Sequence, residues 1–146
     1  MKARAALVGA LLLSGCFPLD PAPEDIALER LEEADAHFAA GRFAEAEPHY
    51  AFVVSKRDRA REAYLKMAVC QQRLGRDPDA VTSLRRLLGV DGYHAEGLRM
   101  LGGMLAGRGQ AAEELVFYRR LLELKPEDQG LRREIARLEQ EAGQGK

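Results

Sequence analysis

A chain of 146 residues, 47% hydrophobic and 31% charged, has room for one small water-facing domain and excludes disorder over its whole length. Its formal charge of −1 offers no basic stripe of the kind nucleic acid demands, so no nucleic acid is expected as a partner. The lack of Trp and the abundance of Ala, Leu, Arg and Glu lean towards helix.

At the start, Lys2 and Arg4 supply positive charge, residues 5–13 form an apolar run, and Ser14 and Gly15 are small. This is the three-part layout of a secretory signal peptide. The run is too short for a spanning helix, which needs about 20 apolar residues. Cys16 follows the small pair directly, and Leu13-Ser14-Gly15-Cys16 closely resembles the lipobox of bacterial lipoproteins. That resemblance implies a signal peptide over residues 1–15, cleavage before Cys16, a diacylglycerol thioether on Cys16 and an acylated, palmitate-type N-terminus. Several acyl chains anchor firmly, because each buried methylene adds about 0.8 kcal/mol. The other reading is an incidental Cys on a secreted domain or a short signal anchor. Phe17, rather than Asp, after Cys16 resembles the lipoprotein class sorted to the outer membrane and facing the periplasm. With Lys2 and Arg4 removed, 20 basic residues face 23 acidic ones, and Cys70 is left without a partner for an intrachain disulfide. Its place on an apolar helix face predicts a small buried hydrophobe.

Three prolines between Pro18 and Pro23 disfavour helix, so residues 16–23 are expected to form an extended tether. At about 3.1 Å per residue it would hold the domain on the order of 20 Å from the bilayer. Residues 24–142 lack strand-like alternation and carry apolar residues at three- and four-residue spacing, which predicts an all-α domain.

The breaks between helices recur. Gly41-Arg42-Phe43-Ala44-Glu45-Ala46, with Tyr50 and Val53 after it, returns 34 residues on as Gly75-Arg76-Asp77-Pro78-Asp79-Ala80 with Leu84 and Leu87. After another 34 residues it returns as Gly109-Gln110-Ala111-Ala112-Glu113-Glu114 with Tyr118 and Leu121. A period of 34 is that of the tetratricopeptide repeat, and the chain resembles that family. The resemblance implies an α-solenoid of three helix pairs, residues 27–60, 61–94 and 95–128, with a cap helix over 129–142 and a tail over 143–146. In that frame Ala34, Ala68 and Gly102 at the eighth position, and Ala46 and Ala80 at the twentieth, let paired helices approach closely. Tyr64, Met67, Leu98 and Leu101 on first helices, with Tyr50, Leu84 and Tyr118 on second helices, are expected to form a continuous core. Leu131, Ile135 and Leu138 would seat the cap helix. Three residues depart from the pattern: Arg30 and Glu33 stand where large apolar residues are usual, and Glu114 stands where Ala is usual. Glu114 predicts a local shift of the third turn.

No catalytic or metal centre is legible. His37, His49 and His94 match no zinc spacing, Cys70 has no CxxC partner, and no phosphate-binding glycine loop is present. Neither enzymatic activity, a cofactor beyond the lipid on Cys16, nor a small-molecule substrate is expected. In the family, first helices line a concave groove, and carrying its positions over gives Leu31, Asp35, Phe38, Leu65, Val69, Gln72, Arg73 and Arg99. Arg133 and Arg137 of the cap helix fall on the same side. This lining would suit a peptide or helix with apolar anchors and an acidic end. Alternatively, the apolar residues pack against the N-terminal segment and the arginines pair with neighbouring glutamates. Leu31 and Asp35 do not match the carboxylate clamp of chaperone-binding members. The expected function is a membrane-anchored protein-interaction module, an accessory or assembly factor of a pilus, secretion or outer-membrane assembly machine. The alternative is a docking regulator of a periplasmic cell-wall enzyme.

Overall fold

A computed structural model of the chain describes residues 23–56, 60–106 and 108–144. Cys16, the signal-peptide segment and residues 16–22 of the expected tether lie outside the described residues. Among the described residues seven helices follow in order: α1 Pro23–Ala39, α2 Phe43–Lys56, α3 Arg61–Arg73, α4 Asp77–Val90, α5 Ala95–Ala106, α6 Ala111–Leu124 and α7 Gln129–Gln144. Among the described residues the fold is an all-α solenoid of consecutively packed helices. Two expected bounds change. Helix α1 takes in Pro23, because a proline is tolerated at the first helical position, where its missing N–H has no partner to lose. Helix α7 continues through Ala142 to Gln144.

The turns inside the helix pairs are built on glycine. Gly41, Gly75 and Gly109 have φ of 71°, 73° and 67°, a left-handed conformation that other residues enter only at a cost. After α1, the Arg42 N–H reaches the His37 carbonyl at 2.9 Å and the Gly41 N–H reaches that of Phe38 at 2.9 Å. After α3, Arg76 and Gly75 donate to Gln71 and Gln72 at 2.8 and 3.0 Å. This double closure satisfies the last carbonyls of α1 and α3 and stops them, whereas after α5 the Arg108 N–H reaches the Leu105 carbonyl at 2.9 Å. The connections that enter α5 and α7 use side chains instead. His94 Nδ1 accepts the Gly97 N–H at 3.1 Å to cap α5, and Asp128 Oδ1 accepts the Leu131 N–H at 3.0 Å to cap α7.

Each helix packs on its predecessor and successor, and α1 also touches α3. First helices therefore share one face and second helices the other. Tyr50, Leu84, Leu87, Leu98, Leu101 and Leu121 lie almost fully buried along the axis, with Ala34, Ala46, Ala68 and Ala80 at the close approaches. Tyr64 and Met67 join them, and Tyr118 is half-buried against them. Gly102 is required at its approach: a Cβ there would overlap the Tyr118 ring edge and stand 2.9 Å from Cδ1 and Cζ. Leu131, Ile135 and Leu138 of α7 are buried against the last pair. Cys70 is fully buried, and burial pushes its thiol up to about 11.

Glu114 leaves the start of α6 in register with the other second helices. Its N–H bonds to the Gln110 carbonyl at 3.0 Å, as those of Ala80 and Ala46 bond to Arg76 and Arg42 at 3.1 and 3.0 Å. The helix start is fixed by backbone bonds that any residue can make, so the carboxyl is accommodated by burial. Arg30 and Glu33 are exposed at the open end of the array and pair with each other at 3.0 Å.

Candidate binding groove

The residues expected to line the concave face divide into three groups. At the first, α1 Asp35 is half-buried, and its Oδ1 accepts the Tyr50 hydroxyl at 2.6 Å and the Lys66 ammonium at 3.0 Å. Burial and this acidic acceptor raise the Tyr50 hydroxyl well above the ordinary phenol range, so it stays a donor. Asp35 therefore ties α1, α2 and α3 together. Lys66, absent from the expected groove set, is the residue that neutralises it.

The second group is aromatic. Phe38 stands edge-on to Phe43 and Tyr50, with ring centroids 5.6 and 6.2 Å away. The Arg73 guanidinium lies 5.8 Å from the centre of the Phe43 ring, a cation–π contact across the junction of the first two repeats. Leu31 and Phe38 are half-buried against the core, while Leu65 is buried within it at 4% exposure. Leu65 is thus corrected from groove lining to core, because in a middle repeat its position is enclosed by the neighbouring repeat. Val69 is half-buried and Gln72 is exposed beside Arg73.

The third group closes the far end. Exposed Arg99 of α5 lines a cavity of about 230 Å³ with Tyr118, Leu121, Asp128, Leu131 and Glu134. Leu121 and Leu131 supply apolar surface, Arg99 a fixed positive charge, and Asp128 and Glu134 two carboxylates that the sequence reading omitted. Arg137 does not stand free for a ligand. Its guanidinium donates to Glu134 at 2.5 and 3.1 Å and to Glu141, a pairing that follows from their spacing of three and four residues on one helix. These bonds hold Glu134 below the usual carboxylate range. Arg133 is exposed on α7.

On the opposite face a second cavity, of about 380 Å³, opens between α2, α3 and α4. Its wall carries a polar chain: Ser83 donates to Gln71 at 2.7 Å, Gln71 to Glu47 at 3.1 Å, and Arg76 to Glu47. Among the described residues no cluster of three or more His, Cys, Asp or Glu could hold a metal ion, and no helix is long and apolar enough to cross a membrane.

The sequence profile of the tetratricopeptide repeat matches residues 31–92 and again 71–129, more than half of the chain. The chain belongs to the tetratricopeptide-repeat family. Tetratricopeptide proteins are in general non-catalytic protein-binding modules. No curated protein matches the chain. Among solved structures it is similar to the second tetratricopeptide domain of human RPAP3, in complex with the HSP70 peptide SGPTIEEVD. The identity is 14% and the TM-score 0.67, over 81% of this chain and 98% of that one. It is also similar to the tetratricopeptide domain of Arabidopsis OM64, at 14% identity and TM-score 0.67, over 80% and 97% of the two chains. A third is the Yersinia enterocolitica type III secretion chaperone SycD in complex with a peptide of the translocator YopD. There the identity is 15% and the TM-score 0.63, over 80% and 89% of the chains. At these identities the likeness establishes the fold, which is typical of protein–protein interaction.

Proposed function

We propose that this tetratricopeptide protein is an envelope lipoprotein that holds a partner protein in its concave groove. Its role would be that of an accessory or assembly factor of a pilus, secretion or outer-membrane assembly machine. The observation that carries the binding face is the succession along it of the Phe38–Phe43–Arg73 cluster and the Arg99 cavity, which together offer apolar anchoring and positive charge. An extended segment or helix with apolar residues and an acidic end suits that lining. The secretion chaperone SycD, seen with a peptide of its translocator, supports an assembly role. The clamp of chaperone-binding members is not reproduced at Leu31 and Asp35, and Asp35 is committed to Tyr50 and Lys66.

The anchoring part of the proposal rests on Leu13-Ser14-Gly15-Cys16 behind Lys2, Arg4 and the apolar run. Cys16 would carry the lipid, and Phe17 would favour the outer membrane, facing the periplasm. Fractionation of cells making the parent and Cys16→Ala tests this. The variant should leave the membrane fraction or accumulate as precursor, and unchanged size and fractionation would refute lipidation.

A photocrosslinker at Gln72, an exposed groove position, should capture the partner in intact cells. Paired substitution of Arg73 and Arg99 by Glu should abolish that capture. A pilus, secretion or barrel-assembly component among the products supports the assembly reading. A cell-wall enzyme would instead make the chain a docking regulator. Full capture by the doubly substituted chain would move the interface off the concave face.

A further inference from the structure

Glu114 is buried to 1% exposure on α6, and its Oε1 meets no hydrogen-bond partner among the described residues. Ala46 and Ala80 fill the equivalent places in the first two pairs. A carboxyl therefore replaces a methyl at a packed helix start whose backbone bonds are unchanged. An unmet polar oxygen in such a place is costly, and an ionised one more so.

The charged and titratable groups around Glu114 come from two helices. Its own α6 contributes Tyr118, and α7 contributes Glu134, Arg137 and Glu141. Helix α5, the other neighbour of α6, carries Glu96 and Arg99. Arg137 is already shared between Glu134 and Glu141. An ionised Glu114 would be a third carboxylate facing one guanidinium, from a buried position.

We propose that Glu114 is a proton-operated latch for the cap helix: neutral, it lets α7 seat on α6, and ionised, it repels α7 and loosens the wall of the Arg99 cavity. Leu131 and Glu134 of α7 form part of that wall, so release of the helix dismantles the far end of the groove. Burial raises the Glu114 carboxyl above the ordinary glutamate range, with Glu134 and Glu141 acting in the same direction and Arg137 and the Tyr118 hydroxyl against them. A group held protonated by the folded state stabilises it fully below the unfolded pKa and ceases to do so as pH rises through the folded one. Seating of α7 is therefore strongest in acid and weakens towards neutral pH.

Hydrogen exchange of α7 amides, measured on the full chain between about pH 4 and pH 8, tests the latch. Protection of α7 relative to α3 should fall in the parent from about pH 4.3 upward, by at most about tenfold per pH unit, and level off at the pKa of Glu114. In Glu114→Gln that relative fall should vanish, leaving α7 seated across the range. If Glu114→Gln fails to fold, Glu114→Ala, which restores the residue of the other two pairs, supplies the pH-independent reference. A carbon-13 titration of the Glu114 carboxyl gives an independent reading. An inflection near about 4.3, or the same profile in parent and variant, would overturn the proposal.

Discussion

Gly102 and Tyr118 occupy one space: the Tyr118 ring edge fills the place where a Cβ on residue 102 would lie, with Cδ1 and Cζ 2.9 Å from it. The equivalent second-helix residue in the middle pair is Leu84, which packs beside Ala68. Gly102→Ala should therefore cost about 1 to 3 kcal/mol in urea unfolding. In a Tyr118→Leu background the same substitution should cost much less. A double-mutant cycle with no coupling between the two positions would contradict the mutual fit.

Tyr50→Phe removes the hydroxyl bonded to Asp35 and leaves a half-buried carboxylate with Lys66 alone. A hydrogen bond to a charged group is worth about 1.5 to 3 kcal/mol, so the variant should unfold at lower denaturant. Lys66→Met should add to that loss less than its effect in the parent, because both partners act on the same oxygen of Asp35. Strict additivity would show the two bonds to be independent.

The helices, their turns and most of the core were legible in the sequence because glycine and small residues recur at fixed intervals. What joins one repeat to the next was not. Asp35 and Lys66 are 31 residues apart, Glu47 and Arg76 are 29 apart, and Arg85 and Glu113 are 28 apart. Each separation falls short of the period, by about one to two helical turns, since side chains reach across to a neighbouring helix at a different height. A search for charges at the repeat interval itself misses them. Leu65 was misplaced for a related reason: position along a helix does not reveal which neighbour encloses it. Glu114 is legible as a departure but its burial is not, because the start of α6 keeps the backbone bonds of the other second helices.

Gly75 and Gly103 both have open space where a Cβ would go, yet substitution by Ala should act in opposite directions. At Gly75, φ is 73°, and an L-residue there costs about 1 to 2 kcal/mol in backbone strain. Gly103 lies inside α5, where Ala should stabilise by about 0.5 to 1 kcal/mol through helix propensity. Thermal melts of the two variants, one falling and one rising, check the backbone assignment.

Cys70 should resist thiol reagents near neutral pH in the folded protein and react fully once unfolded. Its folded pKa is raised from 9.0 to about 11, so the folded state holds the proton more tightly. The stability this provides is intact below about pH 9 and is lost as pH rises through 11. Cys70→Ala should flatten that part of the alkaline unfolding curve. Rapid labelling of the native chain at pH 8 would refute the buried assignment.

The ties between repeats lie on both sides of the array, Asp35–Lys66 between first helices and Arg85–Glu113 between second helices. Bending the solenoid open stretches one set, and bending it closed stretches the other. The exposed pair Arg85–Glu113 weakens as salt rises, and the part-buried Asp35–Lys66 pair less so. Added salt therefore slackens the second-helix side before the first-helix side, so the two edges of the array lose their restraints at different ionic strengths.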